Sequence, residues 1–405
     1  MTTTPRVLTR RAALGLLAAV ATGCTAGHSA QSGGRGTGSG SPAPTTTPAP
    51  VPVVTVAYTP TTGATGISPL SPVSVTATRG TFQQLTLTNA AGKAVAGTLA
   101  PGGASWTAGE VLGYGKTYTW AGTAIGTDGL TSPVSGSFAT LDPSSTAGAV
   151  LNPLVKDGAT VGIAMPVMLK FDGKVSDKAA AEKALTVTTT PKTVGSWAWL
   201  DDGDGGSRAH WRPKNYYAAG TTVAVTGKFY GLDLGGGTYG AGDVSSTFTV
   251  GRNQVVKADA SSHQIVVVRD GATVVSYPVS YGKADLPRNV TRSGIHVVND
   301  MRETVLMTNI PAGYQNIEEH WAVRISNNGE FIHANPNTVG VQGSANVSNG
   351  CINMSAADAQ AYFGTAMIGD PVEVVGTTVD LSAADGDIYD WALPWATWTS
   401  MSALA

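Results

Sequence analysis

Short runs of apolar and β-branched residues alternate with Gly, Pro, Asn and Asp along the chain from residue 51 onward. In residues 73–77 (VSVTA) and 85–89 (LTLTN), apolar and polar positions alternate with a period of two, which is typical of half-buried β-strands. Residues 264–268 and 272–279 predict two more strands, which a tight Asp-Gly turn joins. The pattern therefore predicts a mainly β protein.

One pattern of residues recurs within this β-rich region. Trp106 and Trp211 are each followed nine residues later by a Gly and eleven residues later by a Thr. Each copy ends in a Ser-rich strand with a single Phe, at Phe138 and Phe248. The copies are offset by 105 residues at the Trp and by 110 residues at the Phe, about the length of one β-sandwich domain. We predict two related immunoglobulin-like sandwiches, which occupy residues 51–142 and 143–250.

Residues 251–376 form a third β-rich block, whose sequence pattern differs from that of the two repeat copies. The pattern predicts further strands at residues 294–298 and 321–325. Ser355 is suited to be the N-cap of a helix that runs through Ala366, with Asp358 completing a capping box. The predicted architecture is thus two sandwiches followed by a β-rich block that contains one short helix.

The C-terminal segment, residues 377–405, carries Trp391, Trp395 and Trp398 at helical spacing. Pro394 is well placed to be the first residue of a helix. We interpret the tryptophans as packing anchors that dock this tail onto the body of the protein. Contact with glycan strands is the alternative interpretation.

The N-terminus predicts export. Arginines precede an apolar run at residues 12–21, and two small residues follow it. Because this run is too short to span a hydrocarbon core of about 30 Å as a helix, we predict a cleavable signal peptide at residues 1–23. The pair Arg10-Arg11 resembles a twin-arginine signal, which leaves the export route open.

Residues 21–24 (ATGC) resemble a bacterial lipobox, in which the Cys becomes the lipidated first residue after cleavage. We therefore expect a lipoprotein that is anchored through Cys24 to the outer face of the cytoplasmic membrane, within the cell-wall space. Secretion without a lipid is the alternative. Residues 24–50 consist mainly of Gly, Ser, Pro and Thr and are predicted to form a linker, since they offer almost nothing to a core.

The charge of the chain gives no positive indication of a partner. Charged residues make up 13% of the chain, against about 25% in an average soluble protein. The formal net charge of −2 provides no basic stripe, so we expect no nucleic-acid partner. The sequence favours a monomer without fixing the oligomeric state.

The chain has two cysteines, and the lipobox accounts for Cys24. Cys351 is then a single thiol in an oxidising compartment, with no partner for a disulfide. A lone Cys is most often a small buried apolar residue. The residues around Cys351 favour a reactive thiol instead.

His333 is followed, after fourteen residues, by Ser-Asn-Gly-Cys-Ile-Asn at residues 348–353. This arrangement resembles the signature of the L,D-transpeptidase catalytic family, in which a His is followed at similar spacing by Ser/Thr-His-Gly-Cys, a hydrophobic residue and Asn. Other segments resemble the strands that flank this signature, namely residues 277–283, 291–295 and 368–374. The resemblance covers residues 251–376 and implies a β-rich L,D-transpeptidase catalytic domain with a short helix after the nucleophile.

A thiol with a pKa of about 8.5 is mostly protonated at neutral pH and needs a base. The resemblance implies that Cys351 is the nucleophile and His333 the general base and acid, with the backbone carbonyl of Ala334 orienting the imidazole. The backbone N–H groups of Asn349, Gly350 and Cys351 are candidates for an oxyanion hole. The N-terminus of the following helix is expected to favour the thiolate.

Further candidate substrate contacts are Met307, Tyr314, Trp321, Asn327, Ser348 and Asn353. Residues 299–320 link two strands and are a candidate lid over the site. We expect no cofactor and no metal, because one available Cys and scattered His residues give no ligand spacing. The Asp-rich residues 201–206 lack the Glu of a calcium loop and are interpreted as a polar turn.

The resemblance implies acyl transfer between peptidoglycan stem peptides. The product would be a cross-link between third-position diamino acids, and carbapenems would trap the same Cys. Two alternatives use the same site: hydrolysis of the thioester, which is an L,D-carboxypeptidase reaction, and exchange with free D-amino acids. A non-catalytic, wall-binding spacer protein is an alternative from another class.

One residue departs from the family signature. Asn349 stands where the family has a His, two residues before the nucleophile. If this position acts through its backbone, activity is retained. If it acts through the imidazole side chain, the rate, the substrate preference or the inhibitor preference changes.

Overall fold

Buried and exposed side chains alternate along the strands of the first sandwich. On one strand, Tyr118 and Trp120 are buried, whereas Thr117 and Thr119 are exposed. The computed structural model describes residues 49–202, 205–386 and 388–405. The strands of the first sandwich are β1 (Thr55–Thr59), β2 (Ser74–Thr78), β3 (Gly80–Asn89), β4 (Gly97–Leu99), β5 (Ser105–Ala108), β6 (Thr117–Gly126) and β7 (Thr131–Ala139). They form two sheets with the orders β1-β2-β5-β4 and β3-β6-β7.

The second sandwich packs two four-stranded sheets, β10-β17-β15-β12 and β13-β14-β11-β9, with a small β16-β8 pair beside them. Its elements are β8 (Ser145–Ala147), β9 (Ala149–Leu151), β10 (Ala159–Val161), β11 (Val167–Phe171), α1 (Lys178–Lys183), β12 (Leu185–Thr190), β13 (Gly195–Trp199), β14 (Arg208–Pro213), β15 (Thr222–Gly227), β16 (Thr238–Gly240) and β17 (Val244–Val250). Trp106 on β5 and Trp211 on β14 are both buried, as are Phe138 and Phe248. The residues of the sequence repeat thus lie in the two cores.

The third block contains a five-stranded sheet, β20-β19-β18-β26-β21, and a four-stranded sheet, β22-β23-β24-β25. Its elements are β18 (Gln254–Asp259), β19 (Gln264–Arg269), β20 (Ala272–Pro278), β21 (Gly294–Val297), β22 (Asp300–Asn309), β23 (Tyr314–Arg324), β24 (Phe331–Ala334), β25 (Ile352–Met354), α2 (Ala356–Phe363) and β26 (Pro371–Val375). Short 3-10 turns lie at Pro287–Asn289, Ile310–Ala312 and Pro336–Thr338. The structure confirms the predicted mainly β fold.

The turn between β19 and β20 confirms a local prediction. Asp270 and Gly271 have φ values of +52° and +82°, as a two-residue hairpin turn with left-handed central residues requires. The predicted helix is present but shorter than expected. It ends at Phe363 because Gly364 follows, and glycine is a poor helix former. Ser355 is its N-cap, and the Asp358 carboxylate accepts a hydrogen bond from the Ser355 hydroxyl at 2.7 Å.

The C-terminal tail follows β26 and crosses to the second sandwich, with 3-10 turns at Ala383–Asp385 and Asp390–Ala392 and the helix α3 (Trp395–Ser400). Pro394 is the N-cap of α3, not its first residue as predicted. The guanidinium of the buried Arg212 lies 4.6 Å from the ring of Trp391 and 4.9 Å from that of Trp398. The indole N–H of Trp398 donates to the Ser196 carbonyl at 2.9 Å. These contacts support the interpretation of the tryptophans as packing anchors.

The second sandwich and the third block share backbone contacts. The N–H groups of Gly162 and Ala164 donate to the carbonyls of Ile368 and Gly369 at 2.8 and 2.9 Å. A Cβ on Gly162 would overlap the backbone of Gly369, so only glycine permits this approach. Val297 of β21 packs in the core of the second sandwich. Among the described residues, no helix has the length and apolar character needed to cross a membrane.

Candidate active site

Two parallel strands bring His333 and Cys351 together. β24 and β25 are neighbours, and their register places His333 beside Asn353, two residues after Cys351. The chain between them leaves β24, makes a 3-10 turn and returns to the start of β25, as a parallel connection requires. Both side chains line one cavity, and the Cys351 thiol donates a hydrogen bond to the carbonyl of Gly329 at 3.6 Å. Cys351 is partly exposed, whereas His333 is buried.

The imidazole of His333 is held at Nδ1. Nδ1 lies 2.8 Å from the carbonyl oxygen of Ala334, the residue implicated by the sequence. A carbonyl only accepts, so Nδ1 carries the proton and donates, which leaves Nε2 for the thiol. The carboxylate of Glu319, on β23, lies 3.3 Å from the same Nδ1. The sequence analysis did not identify Glu319.

The surroundings of His333 favour its charged form. Burial lowers its pKa, but hydrogen bonds and charge interactions with Cys351 and Glu319 outweigh the burial and raise the pKa to about 10. A protonated imidazole next to a thiol stabilises the thiolate, which is the nucleophilic form. The pair is therefore suited to acyl transfer.

The loop before Cys351 is fixed by the hydroxyl of Ser348. This hydroxyl accepts a hydrogen bond from the N–H of Gly350 at 3.1 Å and donates one to the carbonyl of Cys351 at 2.6 Å. The Gly350 N–H is thus already used, so its prediction as an oxyanion donor is wrong. The N–H groups of Asn349 and Cys351 have no hydrogen-bond partner within the described part of the chain. They remain candidate donors.

Gly350 is required for its backbone conformation rather than for space. Its φ is +126°, a region that residues with a side chain rarely adopt. A Cβ at this position would meet the carbonyl oxygens of Arg288 and Val290 only at 3.7 and 3.9 Å, which are ordinary contacts. Thr291 fixes the same peptide, since its hydroxyl donates to the Gly350 carbonyl at 2.7 Å.

The expected contribution of the helix N-terminus to the thiolate is wrong. The strand β25 separates Cys351 from Ser355, the N-cap of α2. Four residues of extended chain span about 13 Å, whereas the helix dipole acts mainly within its first turn. His333 and Glu319 are thus the charged groups at the thiol.

A cavity of about 260 Å³ opens at the thiol. It is lined by Met307, Tyr314, Ile317, Glu319, His333, Asn335, Thr338, Val347, Ser348, Asn349, Cys351 and Asn353. Much of its wall comes from the hairpin of β22 and β23, which forms most of the candidate lid at residues 299–320. Four of the predicted substrate contacts therefore lie at the cavity, namely Met307, Tyr314, Ser348 and Asn353.

A β-bulge on β23 turns two of the side chains that line the cavity, Tyr314 and Ile317, toward it. The register pairs Met307 with Ile317 and Asn309 with Tyr314, so β23 has one extra residue. Asn316 takes up this extra residue with a φ of +53°. Because of the bulge, Tyr314 and Ile317 face the same side although they are three positions apart in the sequence.

Two family profiles match separate parts of the chain. A profile of bacterial Ig domains matches residues 64–233, and a profile of L,D-transpeptidase catalytic domains matches residues 253–374. L,D-transpeptidase 5 of Mycobacterium tuberculosis (strain ATCC 25618 / H37Rv) is 54% identical over 349 residues, which are 86% of this chain and 77% of that protein. The chain belongs to the L,D-transpeptidase family. It is therefore a cysteine-dependent acyltransferase.

A further relative and a solved structure are also similar to this chain. L,D-transpeptidase 2 of Mycobacterium tuberculosis (strain CDC 1551 / Oshkosh) is 36% identical over 353 residues, covering 85% of this chain and 84% of that protein. The structure of an L,D-transpeptidase in complex with imipenem is 30% identical, covers 56% of this chain and 99% of that chain, and aligns with a TM-score of 0.47.

Two predicted substrate contacts of this L,D-transpeptidase lie away from the cavity. The ring of Trp321 packs edge-on against Phe363 of α2, with 5.6 Å between ring centroids, because β23 turns there with a φ of +52°. Asn327 accepts a hydrogen bond from the side chain of Asn299 at 3.3 Å and lines a separate cavity beside the second sandwich. Both predictions are corrected, since neither side chain faces Cys351.

The remaining predictions for the L,D-transpeptidase concern other parts of the chain. The signal peptide, Cys24 and nearly all of the linker lie outside the described residues. The interpreted polar turn at 201–206 lies partly outside them. Within the described ranges, no group of three or more His, Cys, Asp or Glu side chains is arranged to hold a metal ion.

Proposed function

We propose that Cys351 is the nucleophile of a peptidoglycan L,D-transpeptidase that links third-position diamino acids of two stem peptides. The observation that carries the proposal is the open cavity that Cys351 and His333 both line, with Nδ1 of His333 bound to the Ala334 carbonyl. Because Nδ1 is engaged, Nε2 is the ring nitrogen left to exchange a proton with the thiol. The mainly neutral wall of the cavity suits a peptide.

In the first half-reaction, the thiolate attacks the carbonyl carbon of the third residue of the donor stem. The negative charge that develops on the carbonyl oxygen is stabilised by the N–H groups of Asn349 and Cys351, each worth about 3 kcal/mol in comparable sites. The imidazolium of His333 gives its Nε2 proton to the leaving nitrogen of D-Ala, the C–N bond breaks, and a thioester remains on Cys351.

In the second half-reaction, a side-chain amine of another stem attacks the thioester. The neutral His333 takes a proton from this amine, the C–S bond breaks, and the thiolate–imidazolium pair is restored. The product is a cross-link between two third-position residues. Carbapenems offer a strained amide to the same thiolate and are expected to acylate Cys351.

The location of the enzyme is part of the proposal. The signal-like residues 1–23 and the lipobox-like residues 21–24 favour export and a lipid anchor at Cys24 on the outer face of the cytoplasmic membrane. Along the chain, the two sandwiches lie between the anchor and the catalytic block. Stem peptides are the partners. Palmitate labelling of the expressed protein, compared with a Cys24→Ala variant, tests the anchor. Label that persists in the variant contradicts it.

The function is tested by incubating the protein with a disaccharide-tetrapeptide and following the products by mass spectrometry. A cross-linked dimer is expected. Loss of D-Ala without a dimer would identify a carboxypeptidase, incorporation of added D-amino acids would identify exchange, and an unchanged substrate would favour a wall-binding spacer.

The nucleophile has its own test. Cys351→Ala is expected to abolish the mass adduct that imipenem forms with the wild-type protein. Ser344→Ala is the control, because Ser344 is an exposed residue of the connecting segment between His333 and Cys351. An adduct that persists in Cys351→Ala would place the nucleophile elsewhere.

A further inference from the structure

A carboxylate reaches the catalytic histidine from a neighbouring strand. Ile317 and Glu319, at alternate positions of β23, line the cavity, whereas Glu318 between them does not. The side chain of Glu319 is 17% exposed, and its Oε2 lies 3.3 Å from Nδ1 of His333. The distance is one of an ion pair with a largely buried partner, since the side chain of His333 is 4% exposed.

The Ala334 carbonyl and the Glu319 carboxylate therefore both face the Nδ1–H group of His333. Their different distances from Nδ1 indicate different roles. The carbonyl of Ala334 is the closer, at 2.8 Å, and takes the hydrogen bond that fixes the orientation of the ring. Glu319 is farther away but carries a full negative charge, which favours a positive imidazole. Orientation and charge thus come from different residues.

No other fixed charge competes with Glu319 at this site. Among the described residues that line the cavity, Glu319 is the only carboxylate, and there is no Lys or Arg. The other titratable groups that face His333 or the cavity are the Cys351 thiol and the phenol of Tyr314, whose pKa burial raises. The Asn335 and Asn353 side chains are neutral. The charge of the imidazole therefore depends on Glu319 and on the thiolate.

We propose that Glu319 is a positioning residue of acyl transfer, whose carboxylate keeps His333 protonated at Nε2 until the leaving amine departs. The inference rests on the proposed function of Cys351 and His333. The thiolate loses its charge when it attacks the substrate carbonyl, so its support for the imidazolium disappears during the reaction. Glu319 is not consumed and continues to stabilise the proton on Nε2 until it passes to the leaving nitrogen.

The chain provides a matched control one residue away. Glu318 is on the same strand, its side chain is 61% exposed, and it lies 3.5 Å from Nε2 of His320. Glu318→Gln removes the same charge from the opposite face of the hairpin. Glu319→Gln retains the shape of the side chain and removes only the charge at His333.

The expected effect is on the alkaline limb of the pH profile. Because Glu319 raises the pKa of His333, its removal lowers that pKa, and the ring loses its proton at lower pH. In Glu319→Gln, the pH above which the imipenem acylation rate falls should decrease by about one unit or more. Glu318→Gln should leave this limb in place, and Glu319→Asp, which keeps the charge, should recover part of the shift.

A second measurement separates this inference from the function on which it rests. In the Cys351→Ala background, NMR titration of the His333 ring reports its pKa without any turnover. Glu319→Gln should lower the midpoint by about one pH unit or more, and Glu318→Gln should not move it.

The outcomes are distinct. Equal midpoints for Glu319→Gln and its parent overturn the role of Glu319, as does an unchanged alkaline limb in a protein that imipenem acylates. Failure of the wild-type protein to form an adduct overturns the proposed function, and the NMR titration still decides whether Glu319 controls the charge of His333.

Discussion

The hydroxyl of Ser348 offers a quantitative test of how the nucleophile loop is held. It accepts from the Gly350 N–H at 3.1 Å and donates to the Cys351 carbonyl at 2.6 Å. Ser348→Ala removes both bonds and leaves the buried Gly350 N–H without a partner. An unpaired buried donor costs about 1–3 kcal/mol, and a second lost hydrogen bond costs about 1 kcal/mol.

The two losses together destabilise the native conformation of the loop by about 2–4 kcal/mol. If only about 2 kcal/mol of this appears in the acylation barrier, the rate falls about 30-fold, because each 1.36 kcal/mol is a factor of ten. The assay is the rate of imipenem acylation, followed by the loss of β-lactam absorbance. Ser348→Thr keeps the hydroxyl and should retain most of the rate.

The control for this prediction is Ser344→Ala, which removes an exposed hydroxyl that donates to the Val341 carbonyl at 2.9 Å. It should acylate at the wild-type rate. An acylation rate for Ser348→Ala within about twofold of wild type would refute the reasoning, because the loop would then hold its shape without the hydroxyl.

Two further predictions concern the tail and the atypical residue of the signature. Trp398→Ala should lower the free energy of unfolding in urea by about 3–5 kcal/mol, since the ring is fully buried, and by more than Trp395→Ala at a half-buried site; equal losses would contradict the docking role of Trp398. Asn349→His should change the imipenem acylation rate by less than about threefold, because the exchange keeps the backbone N–H. A change above about tenfold would instead assign a role to the side chain.

Features that depend on neighbouring residues in the sequence were predictable. The turn at Asp270-Gly271 needs only two residues with left-handed backbone conformations, and the sequence contains both. His333 and Cys351 were recognisable because the type and spacing of their neighbours form a motif. The contact between His333 and the Ala334 carbonyl is equally local, since it joins adjacent residues.

Features that depend on strand register were not predictable from the pattern alone. Glu319 precedes His333 by fourteen residues, and next to Glu318 it looks like part of a solvated acidic pair. The bulge at Asn316 and the left-handed Trp321 interrupt the alternation of β23 on both sides of it. No count along the sequence therefore shows which of the two glutamates faces inward.

The sequence repeat in the two sandwiches likewise shows that contacts set by strand register could not be predicted. Trp106 and Trp211 were visible as a pair, but the structure adds a glycine beneath each ring. A Cβ at Gly97 would overlap the ring of Trp106, and a Cβ at Gly195 would overlap that of Trp211. Each glycine lies on the adjacent strand, so the pairing appears only when the register is known.

The backbone contacts between the second sandwich and the catalytic block limit how genes that encode this pair of segments can recombine. Gly162 and Gly369 touch main chain to main chain, and Val297 from the block completes a core on the other side of the boundary. Exchange of either segment for one from a distant homologue would have to carry these positions together. The two segments match separate family profiles, but the contacts between them predict that they fold together.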